Sequence, residues 1–211
     1  MTVTEKPSRP LPDPVLSPRL ADALGLAIQL HAVQPRKGTT ISYVSHLLAV
    51  SAVVLEHGGT EDQAIAGLLH DAAEDGPDNV PGLDGETILA TIADRFGSEV
   101  ADIVRACSDT TVHPKPPWRE RKERYLAHLA ETDLDVVLVS AADKLHNLSA
   151  IGADFREIGE DVFERFNADA TGVRWYYAEL IRVFTDRLDD TRPRLVAELQ
   201  RALDAIQPEG E

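Results

Sequence analysis

Apolar residues recur along this chain at spacings of three and four, the signature of helices that bury one face. The pattern opens over residues 17–34, where Ser17-Pro18 supplies an N-cap and a proline at the first helical position. Leu20, Leu24, Ala27, Ile28 and His31 then share a face. A second helix is predicted over 42–57, stopped by Gly58-Gly59. Thr60 and Gln63 have the spacing of a capping box and open a third helix that runs to about residue 73. Gly76, Pro77, Pro81, Gly82 and Gly85 mark 76–85 as a loop. Helices follow at 86–96 and 98–108, parted by Gly97, then a connector at 113–117 and a strongly charged helix at 117–131. The apolar run 136–139 taken alone fits a buried strand. It continues through Asp143 and Leu148 with no turn signal, so 133–151 reads as one buried helix. Helices at 169–188 and 191–206 complete the pattern. No alternating strand pattern survives, and the expected fold is all-α, a bundle of roughly nine to ten helices.

Composition narrows this further. The length of 211 residues fits one domain, placed at 17–206. Residues 1–16 hold Pro7, Pro10, Pro12 and Pro14 and are expected to be a disordered arm, with 207–211 a flexible tail. Asp and Glu number 36 against 21 Lys and Arg, a formal net charge of −15. Such a chain is unsuited to nucleic acid or an anionic membrane, both of which need clustered cations. Cys107 is the single cysteine, so an intrachain disulfide and a cysteine-built zinc site are excluded. No apolar segment approaches the ~20 residues of a membrane span, and no signal-peptide core is visible, so a soluble cytoplasmic protein is expected.

Four groups of residues carry chemistry. His70-Asp71 ends an apolar helical approach, His46 lies on the preceding helix, and Asp143 sits among Ala141, Ala142 and Leu145. An unpaired carboxylate in that apolar setting is costly, which favours a bound cation. Two imidazoles and two carboxylates suit Mn, Fe(II) or Zn better than Ca or Mg. Glu74 and Asp75 follow directly, with Glu74 four residues after His70 on the same helical face; either can orient or deprotonate a water beside the ion. His146 and Asn147 lie three and four residues beyond Asp143; His146 reads as a packed residue and Asn147 as an amide facing a ligand. Lastly, Lys115, Arg119, Arg121, Lys122 and Arg124 crowd one stretch, and Arg36-Lys37 forms a second basic spot. Cations gathered in so acidic a chain point to a polyanionic ligand such as phosphate, although a solvated helix face accounts for such runs equally well. Trp175-Tyr176-Tyr177 reads as core, with one tyrosine able to line a base site.

Read together, these stretches resemble the HD-domain phosphohydrolases, and within them the hydrolase domain of the RelA/SpoT alarmone family, especially its small hydrolase-only members of the metazoan SpoT homologue type. The resemblance rests on His31-x-x-Gln34-x-Arg36-Lys37, Tyr43-x-x-His46, Leu68-Leu69-His70-Asp71-x-x-Glu74-Asp75, Phe96-Gly97-x-x-Val100 and Ala142-Asp143-Lys144-Leu145-His146-Asn147-Leu148, in that order, over about residues 19–151. Departures are a loop after Lys37 that is one residue longer, Leu47 in place of proline, Gly76 in place of threonine, and Ser149-Ala150 in place of Arg-Thr. The last falls on a nucleotide contact and spares the metal ligands.

The resemblance implies manganese-dependent hydrolysis of guanosine 3′,5′-bis(diphosphate), releasing the 3′-pyrophosphate and leaving GDP, with Fe or Zn as other ions for the site. His46, His70, Asp71 and Asp143 would hold the ion. Glu74 and Asp75 would position or deprotonate the attacking water. Arg36 and Lys37 would neighbour purine and ribose, Asn147 and Tyr177 would hold the nucleoside, and Lys115, Arg121 and Lys122 would receive the diphosphates. At 211 residues a synthetase domain beside the hydrolase domain is not expected. Rival readings are another HD enzyme, a nucleotide phosphatase or an NADPH 2′-phosphatase, and a non-catalytic alarmone-binding protein. Self-association into a homo-oligomer stays open.

Overall fold

A computed structural model describes residues 16–108 and 116–208. Among them the chain is helical throughout, with only an isolated bridge between Pro35 and Ser42 in extended pairing. Ten α-helices are seen: α1 (Pro18–His31), α2 (Val44–Glu56), α3 (Glu61–Leu69), α4 (Ala72–Asn79), α5 (Gly85–Phe96), α6 (Ser98–Cys107), α7 (Trp118–Glu131), α8 (Leu134–Ile158), α9 (Ala170–Leu188) and α10 (Pro193–Asp204). A 3₁₀ segment, η1 (Gly159–Arg165), joins α8 to α9.

Local chemistry sets many of these boundaries. The Ser17 hydroxyl accepts from the Arg19 amide at the start of α1. Thr60 and Gln63 close the capping box of α3 in both directions. The Asp84 and Asp169 carboxylates cap α5 and α9, each accepting a backbone N–H at 2.7 Å.

The long helix α8 is the axis of the bundle. It packs against α2, α3, α6, α9, α10 and η1, and it is buried continuously from Val136 to Asp143. The pair α2 and α3 is held unusually close. A Cβ on Gly67 would stand 3.3 Å from both the Cα and the N of Ser51, tight enough that a side chain there would press the two backbones apart by a few tenths of an ångström. That contact sets the distance between the residues that follow on each helix.

Three expectations need correction. The predicted helix 60–73 is two helices, because the chain turns at His70 and Asp71 between α3 and α4. The predicted loop 76–85 is helical as far as Asn79, with Pro77 inside α4. Packing overrides the local signal there: Ala72, Ala73 and Gly76 are buried, and a Cβ on Gly76 would meet Ile88 Cδ1 at 2.6 Å. Finally, the helix expected at 133–151 continues to Ile158 and leads into η1, a stretch with no expectation attached. The connector at 113–117 lies largely outside the described residues, as do residues 1–15 and 209–211.

Candidate metal centre and its cleft

The turn at His70-Asp71 has a chemical consequence. On an unbroken helix, adjacent side chains diverge by about 100°. Here they converge, and His70 Nε2 lies 2.9 Å from Asp71 Oδ2. From α2, His46 Nε2 comes within 3.2 Å of Asp143 Oδ1 and 4.0 Å of Asp71 Oδ2. His70 Nε2 is 3.7 Å from the same Asp143 oxygen. Donor atoms of His46, His70 and Asp143 all fall within 4.8 Å of one another, with Asp71 beside them.

This donor set fits a divalent cation. The Nε2 atoms of both His46 and His70 are buried and make no well-aligned hydrogen bond among the described residues; what faces them at 2.9–4.0 Å is carboxylate oxygen, and a cation at that point would give each donor a partner. Both imidazoles are aimed at two carboxylates, and nitrogen with oxygen donors suits Mn, Fe(II) or Zn. The far side of each ring is fixed. His70 Nδ1 lies 2.9 Å from the Gly67 carbonyl oxygen, which can only accept, so Nδ1 carries the hydrogen and Nε2 faces the carboxylates.

The charge state follows from the same packing. Burial lowers His46 below the usual imidazole range, and Asp143 only partly opposes this. Burial also acts to lower His70, but Asp71 and Asp143 outweigh it and hold the ring well above that range. Asp71 and Asp143 are both depressed in spite of burial, Asp71 chiefly by His70 and Asp143 chiefly by Lys144 with the two histidines.

Around these four stands a ring of positioning contacts. The Tyr43 hydroxyl donates to Asp71 Oδ2. Lys144 Nζ donates to Asp143 Oδ2, and Asn147 Nδ2 donates to Asp143 Oδ1 at 2.5 Å. His146 Nδ1 lies 2.8 Å from His46 Nδ1. Arg36 reaches over both, 3.4 Å from His146 Nδ1 and 3.0 Å from Asn147 Oδ1. On the α4 side, Gln34 Nε2 donates to Asp75 Oδ2 at 2.8 Å, while Gln34 Oε1 accepts from Asn79 at 2.7 Å and lies 2.6 Å from His31 Nδ1.

The centre opens into a cleft of three lobes. The metal lobe, about 210 Å³, is lined by Asp71, Asp143, Glu74, Asp75, Lys122 and Lys144 among others. A cationic lobe of about 320 Å³ continues from it past Glu74, bounded by Arg121, Lys122, Lys144 and the rings of Trp118, Tyr176 and Tyr177. A third lobe of about 230 Å³ lies between Arg36, Tyr177 and Phe166 and ends at Asp154 and Arg165. Asn147 borders all three lobes, and Lys37, Phe166 and Tyr177 border the second and third.

The structure thus brings together His46, His70, Asp71, Asp143, Glu74, Asp75, Arg36, Lys37, Arg121, Lys122, Asn147 and Tyr177 along one cleft. Lys115 lies outside the described residues. Arg119 and Arg124 face solvent instead, paired with Glu123 and Glu120 at 2.7 Å. Sequence reasoning passed over Lys144, Trp118, Asp154, Arg165 and Phe166. Lys144 carried a signal, since a lysine beside a buried aspartate is its natural counter-charge. Tyr176, expected in the core, is buried but also walls the cationic lobe. His146, expected only to pack, touches a metal-facing histidine.

Comparison with known proteins agrees with this geometry. The sequence pattern of the HD domain matches residues 23–174. A Synechocystis protein named as a probable guanosine-3′,5′-bis(diphosphate) 3′-pyrophosphohydrolase is 32% identical over 139 residues, 62% of this chain and 16% of that one. The Escherichia coli bifunctional (p)ppGpp synthase/hydrolase SpoT is 27% identical over 199 residues, 87% of this chain and 26% of that one. This chain therefore spans only about a sixth to a quarter of the length of these relatives. Among solved structures, lmo0812 of Listeria monocytogenes superposes with a TM-score of 0.65 at 27% identity, covering 76% of this chain and 97% of that one. A metazoan ortholog of SpoT shares the fold, with a TM-score of 0.68 at 23% identity over 90% of this chain and 96% of that one. The matched pattern covers well over half of the sequence and includes the His70-Asp71 pair, and the chain belongs to the HD-domain family.

Proposed function

We propose that this chain is a manganese-dependent hydrolase of guanosine 3′,5′-bis(diphosphate), acting in the cytoplasm and cutting at the 3′-pyrophosphate to give GDP and pyrophosphate. The observation that carries this reading is the shape of the cleft. A nucleoside with phosphates on both the 3′ and 5′ oxygens is a three-armed molecule, and three lobes meet here at Asn147. The ribose sits at that junction, beside Lys37 and Tyr177. The base enters the lobe walled by Tyr177 and Phe166. The 5′-diphosphate occupies the cationic lobe, and the 3′-diphosphate reaches the metal lobe. The relatives named as 3′-pyrophosphohydrolases support the same substrate.

Each arm meets residues suited to it. Arg121, Lys122 and Lys144 offset the repulsion between a polyphosphate and a protein of net charge −15. His46, His70, Asp71 and Asp143 hold the ion. A divalent cation there supplies the charge that acidifies water and draws electrons from a phosphoryl oxygen. Glu74 takes the proton of the attacking water, a role supported by its position on the border of both the metal lobe and the cationic lobe. Asp75 is held by the Gln34 amide and orients that water. The oxygen of water bonds to phosphorus, the bond from phosphorus to O3′ breaks, and O3′ leaves as the free hydroxyl of GDP.

The test is product analysis. With Mn²⁺, the purified protein converts the nucleotide to GDP and pyrophosphate in equal amounts, and chelator stops it. Faster turnover of NADPH or of a deoxynucleotide contradicts the proposal, as does tight binding without product.

A further inference from the structure

The third lobe ends in a feature that phosphate chemistry leaves unused. Asp154, on the last turns of α8, accepts from Arg165 Nη1 through Oδ2. The stem of Arg165 lies over the backbone of Gly38, where a Cβ would come within 2.8 Å of Arg165 Cδ. The pair thereby closes the lobe between the loop that carries Lys37 and the 3₁₀ segment η1. Neither side chain is saturated. The second oxygen of Asp154 and the remaining nitrogens of Arg165 have no other partner among the described residues. The side walls near them, Ile151, Val162 and Phe166, offer no polar side-chain atoms.

We propose that Asp154 and Arg165 together read the base as guanine. The inference rests on the functional reading above, which puts the base in this lobe. A carboxylate beside a guanidinium presents one acceptor and one donor edge side by side. Guanine presents the complement, an N1–H donor next to the O6 acceptor. Adenine presents the reverse, a bare N1 next to an N6 amino group. In the same pose adenine sets acceptor against acceptor at Asp154 and donor against donor at Arg165. The two side chains are half-buried, and polar groups withdrawn from water by the bound base and left facing like partners reject an analogue more strongly than a missing methyl group does. Of the other polar residues that line the lobe, Arg36 is bonded to Asn147, Thr39 to backbone and Tyr43 to Asp71, so discrimination is assigned to this pair, while the stacking walls accept either purine.

Calorimetric titration of GDP, IDP and ADP into the full chain with Mn²⁺ reads the base without turnover. IDP keeps both O6 and N1–H and lacks only the 2-amino group. Wild type should bind IDP within about fivefold of GDP and ADP at least about 30-fold more weakly, as expected for a site built to pair a polar edge. In Asp154→Asn, which keeps the size and the contact to Arg165, the preference for GDP over ADP should fall at least about tenfold. Equal binding of GDP and ADP by wild type overturns the proposal, and so does unchanged preference in Asp154→Asn. Should that variant fold poorly, Arg165→Lys, which keeps a positive partner for Asp154 but loses the planar donor edge, takes its place, with the same loss of preference expected and an unchanged preference overturning the proposal. Hydrolysis of guanosine 3′,5′-bis(diphosphate) is scored separately. Its absence refutes the functional reading, whereas turnover without base preference refutes only the role of Asp154 and Arg165.

Discussion

Nδ1 of His146 faces Nδ1 of His46 across 2.8 Å, so one imidazole orients the other at the edge of the metal centre. With His46 Nε2 turned to the carboxylates, its Nδ1 donates and His146 accepts. Burial, with His46 and Arg36 nearby, pushes the His146 pKa down to about 4, which keeps that acceptor lone pair available at neutral pH. Removing such a partner typically costs about 10- to 100-fold in metal affinity. His146→Ala should show this loss in a metal titration with its helical circular dichroism unchanged, while His146→Gln, which keeps an acceptor, should retain most of the affinity.

Metal loading should release a proton. Burial acts to lower His70, yet Asp71 and Asp143 outweigh it and hold the ring above its ordinary value of 6.5. At neutral pH the metal-free protein therefore carries a proton on His70 Nε2 that the cation must displace. The sign is definite: apparent metal affinity rises with pH until the folded pKa of His70 is passed. The same shift stabilises the metal-free fold fully below 6.5, and that stability is lost as pH climbs through the folded value. Calorimetric titrations in buffers of different ionisation heat should report about one proton released per ion near pH 7, and none would contradict this account.

Cations inside and outside the cleft should behave differently. Arg121→Ala and Lys122→Ala each remove a contact worth about 1.5–3 kcal/mol to a phosphate. Each should weaken substrate binding by about 10- to 100-fold while leaving metal content intact. Arg119→Ala and Arg124→Ala remove the same charge from the solvent face, and surface pairs of this kind contribute at most about 1 kcal/mol. Their KM should change by less than about twofold.

Two core substitutions separate stability from assembly of the centre. Gly67→Val places a branched side chain where a Cβ already meets the Ser51 backbone at 3.3 Å. It should spread α2 from α3, lower the Tm and abolish metal binding. Phe184→Ala, at a fully buried position on α9, should cost about 3–5 kcal/mol of stability yet leave metal stoichiometry unchanged below its Tm.

Features decided locally were legible from residue order. Ser17, Thr60 with Gln63, and Gly97 act within a turn of themselves, and the helix limits they set were anticipated. The grouping of the candidate ligands was legible too, because an aspartate in an apolar stretch such as Asp143 demands a counter-charge whatever the fold. Pro77 and Gly76 signal a loop by themselves, and helix α4 exists there because it is packed against Ile88 and the rest of the core. Likewise Asp154 and Arg165 are unremarkable in sequence, eleven positions apart. Only the end of α8 at Ile158 and the packing of η1 against that helix bring them together.

The central claim is that His46, His70, Asp71 and Asp143 hold one divalent ion. Elemental analysis after loading and desalting tests it most directly, on wild type and on Asp143→Ala. One equivalent of metal per chain in wild type, and a small fraction of that in a variant with intact helical circular dichroism, is the predicted result. A full equivalent retained by Asp143→Ala, or no metal in the loaded wild type, would contradict it.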